Sequence, residues 1–114
     1  MTKPEVAVVF GTRPEAVKMA PVILALRESQ KVRTTVYSTG QHRQMLDQIL
    51  QFFGIAPDED LDLMKPNQSL GQLTGEAVSK LTTLFMAKKP AMVLVQGDTT
   101  CAMSAGLSAF YANA

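Results

Sequence analysis

Two short apolar runs, VAVVF at residues 6–10 and AMVLVQ at 91–96, constrain the possible folds of this chain more than any other feature. Each runs into a glycine, Gly11 or Gly97, and a helical pattern follows at once. A strand that is apolar on both faces belongs in a parallel sheet covered by helices on both sides. Two further units repeat the alternation. TTVYST at 34–39 leads into a helix over about 41–53, whose stripe of Met45, Leu46, Ile49, Leu50 and Phe53 is stopped by Gly54. The weaker strand DLDLM at 60–64 is followed by the loop KPNQS and a helix over about 70–88, with Pro90 marking its end. Four βα units predict an α/β fold: a Rossmann-like parallel sheet with helices on both faces, right-handed crossovers and strand order 3-2-1-4. No repeat, low-complexity tract or linker interrupts them.

The first helix has the clearest boundary. Thr12 and Glu15 have capping-box spacing, and Pro14 falls in the first turn, where a missing N–H costs nothing. Pro21 cannot donate to the carbonyl of Val17, so a break with a kink is expected there before Val22–Arg27 continues.

Composition excludes several classes of function. At 114 residues, 46% hydrophobic and 18% charged, the chain is one ordinary soluble domain. A formal charge of +1 gives no nucleic-acid footprint, and Lys88-Lys89 is too short a basic run to supply one. The single cysteine, Cys101, excludes an internal disulfide. The apolar runs fall short of a membrane span, and MTKPEVAVVFG is too short for a signal peptide, so a cytoplasmic location is expected. One histidine, one cysteine and scattered acids have no zinc-ligand spacing, so no metal is expected. Only one glycine precedes Thr12-Arg13-Pro14, so the GxGxxG fingerprint fails, and no GxxxxGK[ST] occurs. NAD and ATP are therefore poor candidates. The seven methionines read as core filling.

Ligands of parallel α/β sheets bind outside the carboxyl ends of the strands. Three of those ends have a glycine, polar or charged residues and a helix start: Gly11-Thr12-Arg13, Thr39-Gly40-Gln41-His42-Arg43 and Gly97-Asp98-Thr99-Thr100. Arg13 brings bidentate donors to a helix N-terminus, where a cation is unfavourable unless an anion offsets it. Lys18 follows about one turn later and reads alone as a solvated helix residue. His42, with Gln41 and Gln44, suits either a ligand contact or local satisfaction of backbone groups. Asp98 either caps its helix or serves as an acid or base beside a cationic pocket.

Taken together, GTRPEAVKMAP (11–21), TGQHRQMLDQ (39–48) and VLVQGDTT (93–100) closely resemble the bacterial non-hydrolysing UDP-N-acetylglucosamine 2-epimerases. The likeness extends over essentially all of the chain. GTRPEA is the most specific part, because hydrolysing relatives keep GTR and differ afterwards, so the resemblance favours reversible epimerisation.

The resemblance implies a two-domain GT-B protein that binds UDP-sugar between two Rossmann-like halves. Residues 1–114 then form an incomplete N-terminal Rossmann-like domain, and the C-terminal domain is absent from this chain. It implies that Arg13 and Lys18 lie near the substrate phosphates and that Asp98 is a catalytic carboxylate. It also matches Gln41, His42 and Gln44 to a stretch that, in some members, contacts a second UDP-N-acetylglucosamine acting as an activator. Asn67 departs from the basic residue of some activator-dependent relatives. No redox cofactor is implied. The expected partners are UDP-N-acetylglucosamine and a second copy of the chain, as a homodimer in full-length form and by self-association of the 114 residues alone; nucleic acid and membrane are not expected. The competing readings are a GT-B glycosyltransferase, a hydrolysing relative, and a non-catalytic binding or assembly module. A glycosyltransferase predicts a glycine-rich first loop, which GTRPEA lacks.

Overall fold

Every residue of the first strand, β1 (Glu5–Phe10), is buried, and that strand organises the rest. The computed structural model describes residues 3–40 and 43–114. β1 pairs in parallel on one side with β2 (Arg33–Ser38) and on the other with β4 (Met92–Leu94). β2 pairs in turn with β3 (Glu59–Asp60), giving the expected order 3-2-1-4.

The alternation of β1 side chains separates two cores. Val8 and Phe10 point with Val36 toward helices α1 (Arg13–Ser29) and α2 (Arg43–Phe53), where they meet Ala16, Met19, Ala20, Ile23, Leu46 and Leu50. Ala7 and Val9 point with Tyr37 toward α3 (Leu70–Lys88) and α4 (Thr100–Tyr111), against Leu81, Phe85, Cys101 and Ala105. Tyr37 and Phe85 meet edge to face with ring centroids 5.5 Å apart. Burying side chains of this size stabilises the fold by about 1.5–3 kcal/mol each before the entropy of ordering them is counted.

Three local expectations change. β3 has two residues and shares only Asp60 with DLDLM; beyond it Leu61 N and Leu63 N still donate to Ser38 O and Thr39 O, but regular pairing ends and Leu63 is buried in a small cluster with Leu73 and Ala77. β4 covers 92–94 and pairs on one side only, and Met92 and Val95 are exposed. The expected break at Pro21 is replaced by one helix running through it. Pro21 and Val17 both lie on the exposed side of α1, so the Val17 carbonyl that loses its donor can be hydrated, while Ala16, Ala20 and Ile23 hold the opposite face on the sheet. Among the described residues no helix is long and apolar enough to cross a membrane.

Candidate functional site

Parallel pairing brings the loops after β1, β2 and β4 to one edge of the sheet. Gly11 is where they crowd together. Thr39 N donates to Phe10 O at 3.0 Å, and a Cβ on Gly11 would stand 2.1 Å from Thr39 Oγ1 and 3.3 Å from Cys101 Cβ. No residue larger than glycine fits there without moving buried neighbours.

Helix α1 opens as the sequence predicts, with Thr12 in extended geometry at the N-cap and Pro14 in the first turn. Glu15 does more than complete a capping box. It is 3% exposed, and its Oε1 accepts from Gly11 N at 2.9 Å and from Thr12 N at 3.1 Å. Its other oxygen, Oε2, accepts from the Thr99 hydroxyl, 84 residues away in sequence. In many nucleotide-binding folds the main-chain N–H groups of such a loop hold a phosphate. In this chain the Gly11 and Thr12 N–H groups already have an anion, supplied by Glu15. With those two donors occupied, the loop has less use for the second and third glycines of such motifs.

Asp98 does not cap α4. Thr99 does, its Oγ1 accepting from Ala102 N at 3.2 Å, so the capping alternative for Asp98 is overturned. The reason is register: the helix begins at Thr100, one residue later than Asp98 would need. Gly97 has φ of +92°, a conformation that side-chain-bearing residues rarely adopt, and its Cα faces Glu15: a Cβ there would lie 3.8 Å from Glu15 Oε2. This turn delivers Asp98 to the surface.

Arg13, Lys18, Gln44 and Asp98 are all exposed. Among the described residues the ion pairs join Arg27 to Asp58, Arg33 to Glu5, Lys65 to Glu76 and Lys88 to Glu59, and none involves Arg13, Lys18 or Asp98. Arg13 and Asp98 therefore share one edge as uncommitted charges. Gln44 lies in the first turn of α2, while Gln41 and His42 fall outside the described residues. Asn67 sits at φ +58° beside a groove of about 290 Å³ lined by Lys65, Gln68, Gln72 and Glu76.

Beneath the loops, Cys101 is buried, and burial pushes its thiol up to about 12; the Thr39 hydroxyl beside it works the other way, and the negative charge of Glu15 adds to the rise. It is a protonated packing group, unsuited to nucleophilic attack at neutral pH. Among the described residues no group of three or more His, Cys, Asp or Glu side chains is placed to hold a metal ion.

These features define a Rossmann-like α/β domain with cationic and acidic side chains presented at the carboxyl edge of its sheet. Residues 24–114 match the sequence profile of the UDP-N-acetylglucosamine 2-epimerase family, and the chain belongs to that family. It is 53% identical over 107 residues to the UDP-N-acetylglucosamine 2-epimerase of Neisseria meningitidis serogroup A, covering 94% of this chain and 29% of that protein. The Bacillus subtilis enzyme of the same name is 50% identical over 111 residues, covering 97% of this chain and 29% of the relative. The crystal structure of the N. meningitidis UDP-GlcNAc 2-epimerase bound to UDP-GlcNAc superposes with a TM-score of 0.91 at 52% identity, over 96% of this chain and 29% of that one. The chain thus spans about 29% of the length of these relatives.

Proposed function

We propose that the protein to which these residues belong interconverts UDP-N-acetylglucosamine and UDP-N-acetylmannosamine. The observation that carries this is roughly half-identity to named 2-epimerases across nearly the whole chain. The geometry fits the chemistry. The C1–O bond breaks and its electron pair leaves with UDP, while a base takes the C2 proton and the C2–H electrons form the C1=C2 bond of 2-acetamidoglucal. Reprotonation of C2 on the opposite face and return of UDP to C1 complete the exchange, with no net oxidation. Arg13 and Lys18 would stabilise the charge developing on the departing diphosphate, and Asp98 would carry a proton. The residues described form part of one half of the cleft, and a second domain would supply the remainder.

The test is incubation of the full-length protein with UDP-N-acetylglucosamine in D₂O. Formation of the manno epimer with deuterium at C2 is the expected result; unchanged substrate refutes the reading. The 114 residues on their own should be inactive and should self-associate through the open edge of β4, which sedimentation at increasing concentration would detect.

A further inference from the structure

Glu15 lies at the junction of the two loops that carry the uncommitted charges. Thr12, immediately before Arg13, donates its N–H to Glu15 Oε1, and Glu15 itself is two residues after Arg13. Thr99, immediately after Asp98, donates its hydroxyl to Glu15 Oε2, and a Cβ added to Gly97, immediately before Asp98, would lie 3.8 Å from that same oxygen. One buried carboxylate therefore holds the chain immediately after Asp98 and at the start of the helix that carries Arg13.

We propose that Glu15 is a positioning residue: it clamps the β1–α1 loop to the β4–α4 loop and so fixes Arg13 relative to Asp98. This rests on the proposed epimerase function, in which the two side chains act on adjoining parts of one substrate, the diphosphate and the sugar C2–H. Two loops separated by 84 residues need such a cross-link, because the spacing between a phosphate clamp and a base must be held within a fraction of an ångström. β1 and β4 pair directly, but their ladder ends at Val8–Leu94, short of both loops.

A carboxylate does this where its closest relatives cannot. Glutamine at position 15 would present an NH₂ group either to the Gly11 and Thr12 N–H groups or to a Thr99 oxygen that already accepts from Ala102 N. In the first orientation two bonds are lost; in the second the Thr99 bond reverses, both lone pairs of its hydroxyl oxygen are filled and the hydroxyl proton loses its acceptor, and the charge assistance of the carboxylate is gone in both.

The experiment compares Glu15→Gln, Thr99→Val and Thr99→Ser in the full-length protein. Glu15→Gln and Thr99→Val are expected to lower kcat for UDP-N-acetylglucosamine by about 10- to 100-fold per folded molecule, and Thr99→Ser, which keeps the hydroxyl, to stay within about threefold of wild type. Thr99→Val also removes the cap of α4 and will lower the melting temperature; Glu15→Gln leaves that cap, which separates the two effects. Hydrogen exchange of the peptide containing Gly11 and Thr12 should speed up in Thr99→Val, although the substitution is remote in sequence. Wild-type kcat and KM in an active Glu15→Gln enzyme overturns the proposal, as does unchanged exchange at Gly11 and Thr12 in Thr99→Val. If the wild type turns nothing over, the functional reading is what has failed, and the clamp is then decided by exchange alone: coupling supports it and independence of the two loops overturns it.

Discussion

The two ends of the sheet treat their charges differently. At the amino end, Arg33 pairs with Glu5 at 2.7 Å, Lys88 pairs with Glu59 at 2.6 Å, and the same ammonium stands 5.7 Å from the centroid of the Tyr37 ring. At the carboxyl end, Arg13, Lys18 and Asp98 join none of the ion pairs among the described residues, and the buried carboxylate there, Glu15, is committed to main-chain N–H groups and a hydroxyl. Charges that are matched within the chain serve the fold. Those left open lie at the edge where parallel sheets bind ligands, which is where the proposed function would use them.

Four experiments can break or sharpen that contrast. The largest effect belongs to Asp98→Asn in the full-length protein: kcat should fall about 10²-fold or more with UDP affinity largely kept and an unchanged melting temperature, since Thr99 is the cap. A drop in melting temperature with normal turnover would assign Asp98 to the fold. Next, Arg13→Ala should weaken UDP binding by about tenfold or more through loss of charge-assisted hydrogen bonds, measured by calorimetry at fixed salt. The mirror experiment is Arg33→Ala, which strips the partner from the buried Glu5. It should cost about 1–2 kcal/mol in urea melts, kept low because Arg33 is largely solvated, and should not change turnover.

The smallest effect appears only in alkali. Two buried acids stay protonated, Cys101 beneath the carboxyl-end loops and Tyr37 in β2, and burial raises both above their ordinary values of 9.0 and 10.0. A group whose folded pKa is raised contributes stability that is complete below its unfolded pKa and is lost as pH climbs toward the folded one. For Cys101 the window runs from about 9 to about 12, so by pH 10 about 1 kcal/mol should be gone. Cys101→Ala should remove that first decline and leave the later one due to Tyr37. Identical pH profiles for the two proteins would show that the thiol contributes nothing.

How much of this was legible in the sequence depends on how far apart the interacting groups lie. The sheet order and four helices followed from apolar runs, glycines and prolines, all local signals, and the start of α1 was readable from Thr12, Pro14 and Glu15. The brevity of β3 was not, because the ladder ends where Leu63 is drawn into a cluster with Leu73 and Ala77, a tertiary pull that acidic spacing does not reveal. At Pro21 the helix continues without a break, because packing on one face of α1 holds it across a missing N–H on the other. At the site, Arg13 and Asp98 were singled out by position alone, and Glu15 only as one half of a capping box. The spacing from Thr12 reveals a cap; nothing local reveals a bond to Thr99. The shift of the α4 cap from Asp98 to Thr99 is a one-residue matter of register, which spacing alone leaves open.

The carboxylate of Glu15, resting on the Gly11 and Thr12 N–H groups, also bears on the choice of inhibitors. A compound that carries a phosphate mimic designed to nestle into a glycine-rich amide loop would find that berth taken, and would have to expel a tethered competitor whose local concentration no dissolved ligand matches. If Arg13 holds the substrate diphosphate as proposed, selectivity over glycine-loop nucleotide enzymes would come from the opposite choice: flat, weakly hydrated anions shaped for its guanidinium fork, which glycine-loop proteins have less need to offer.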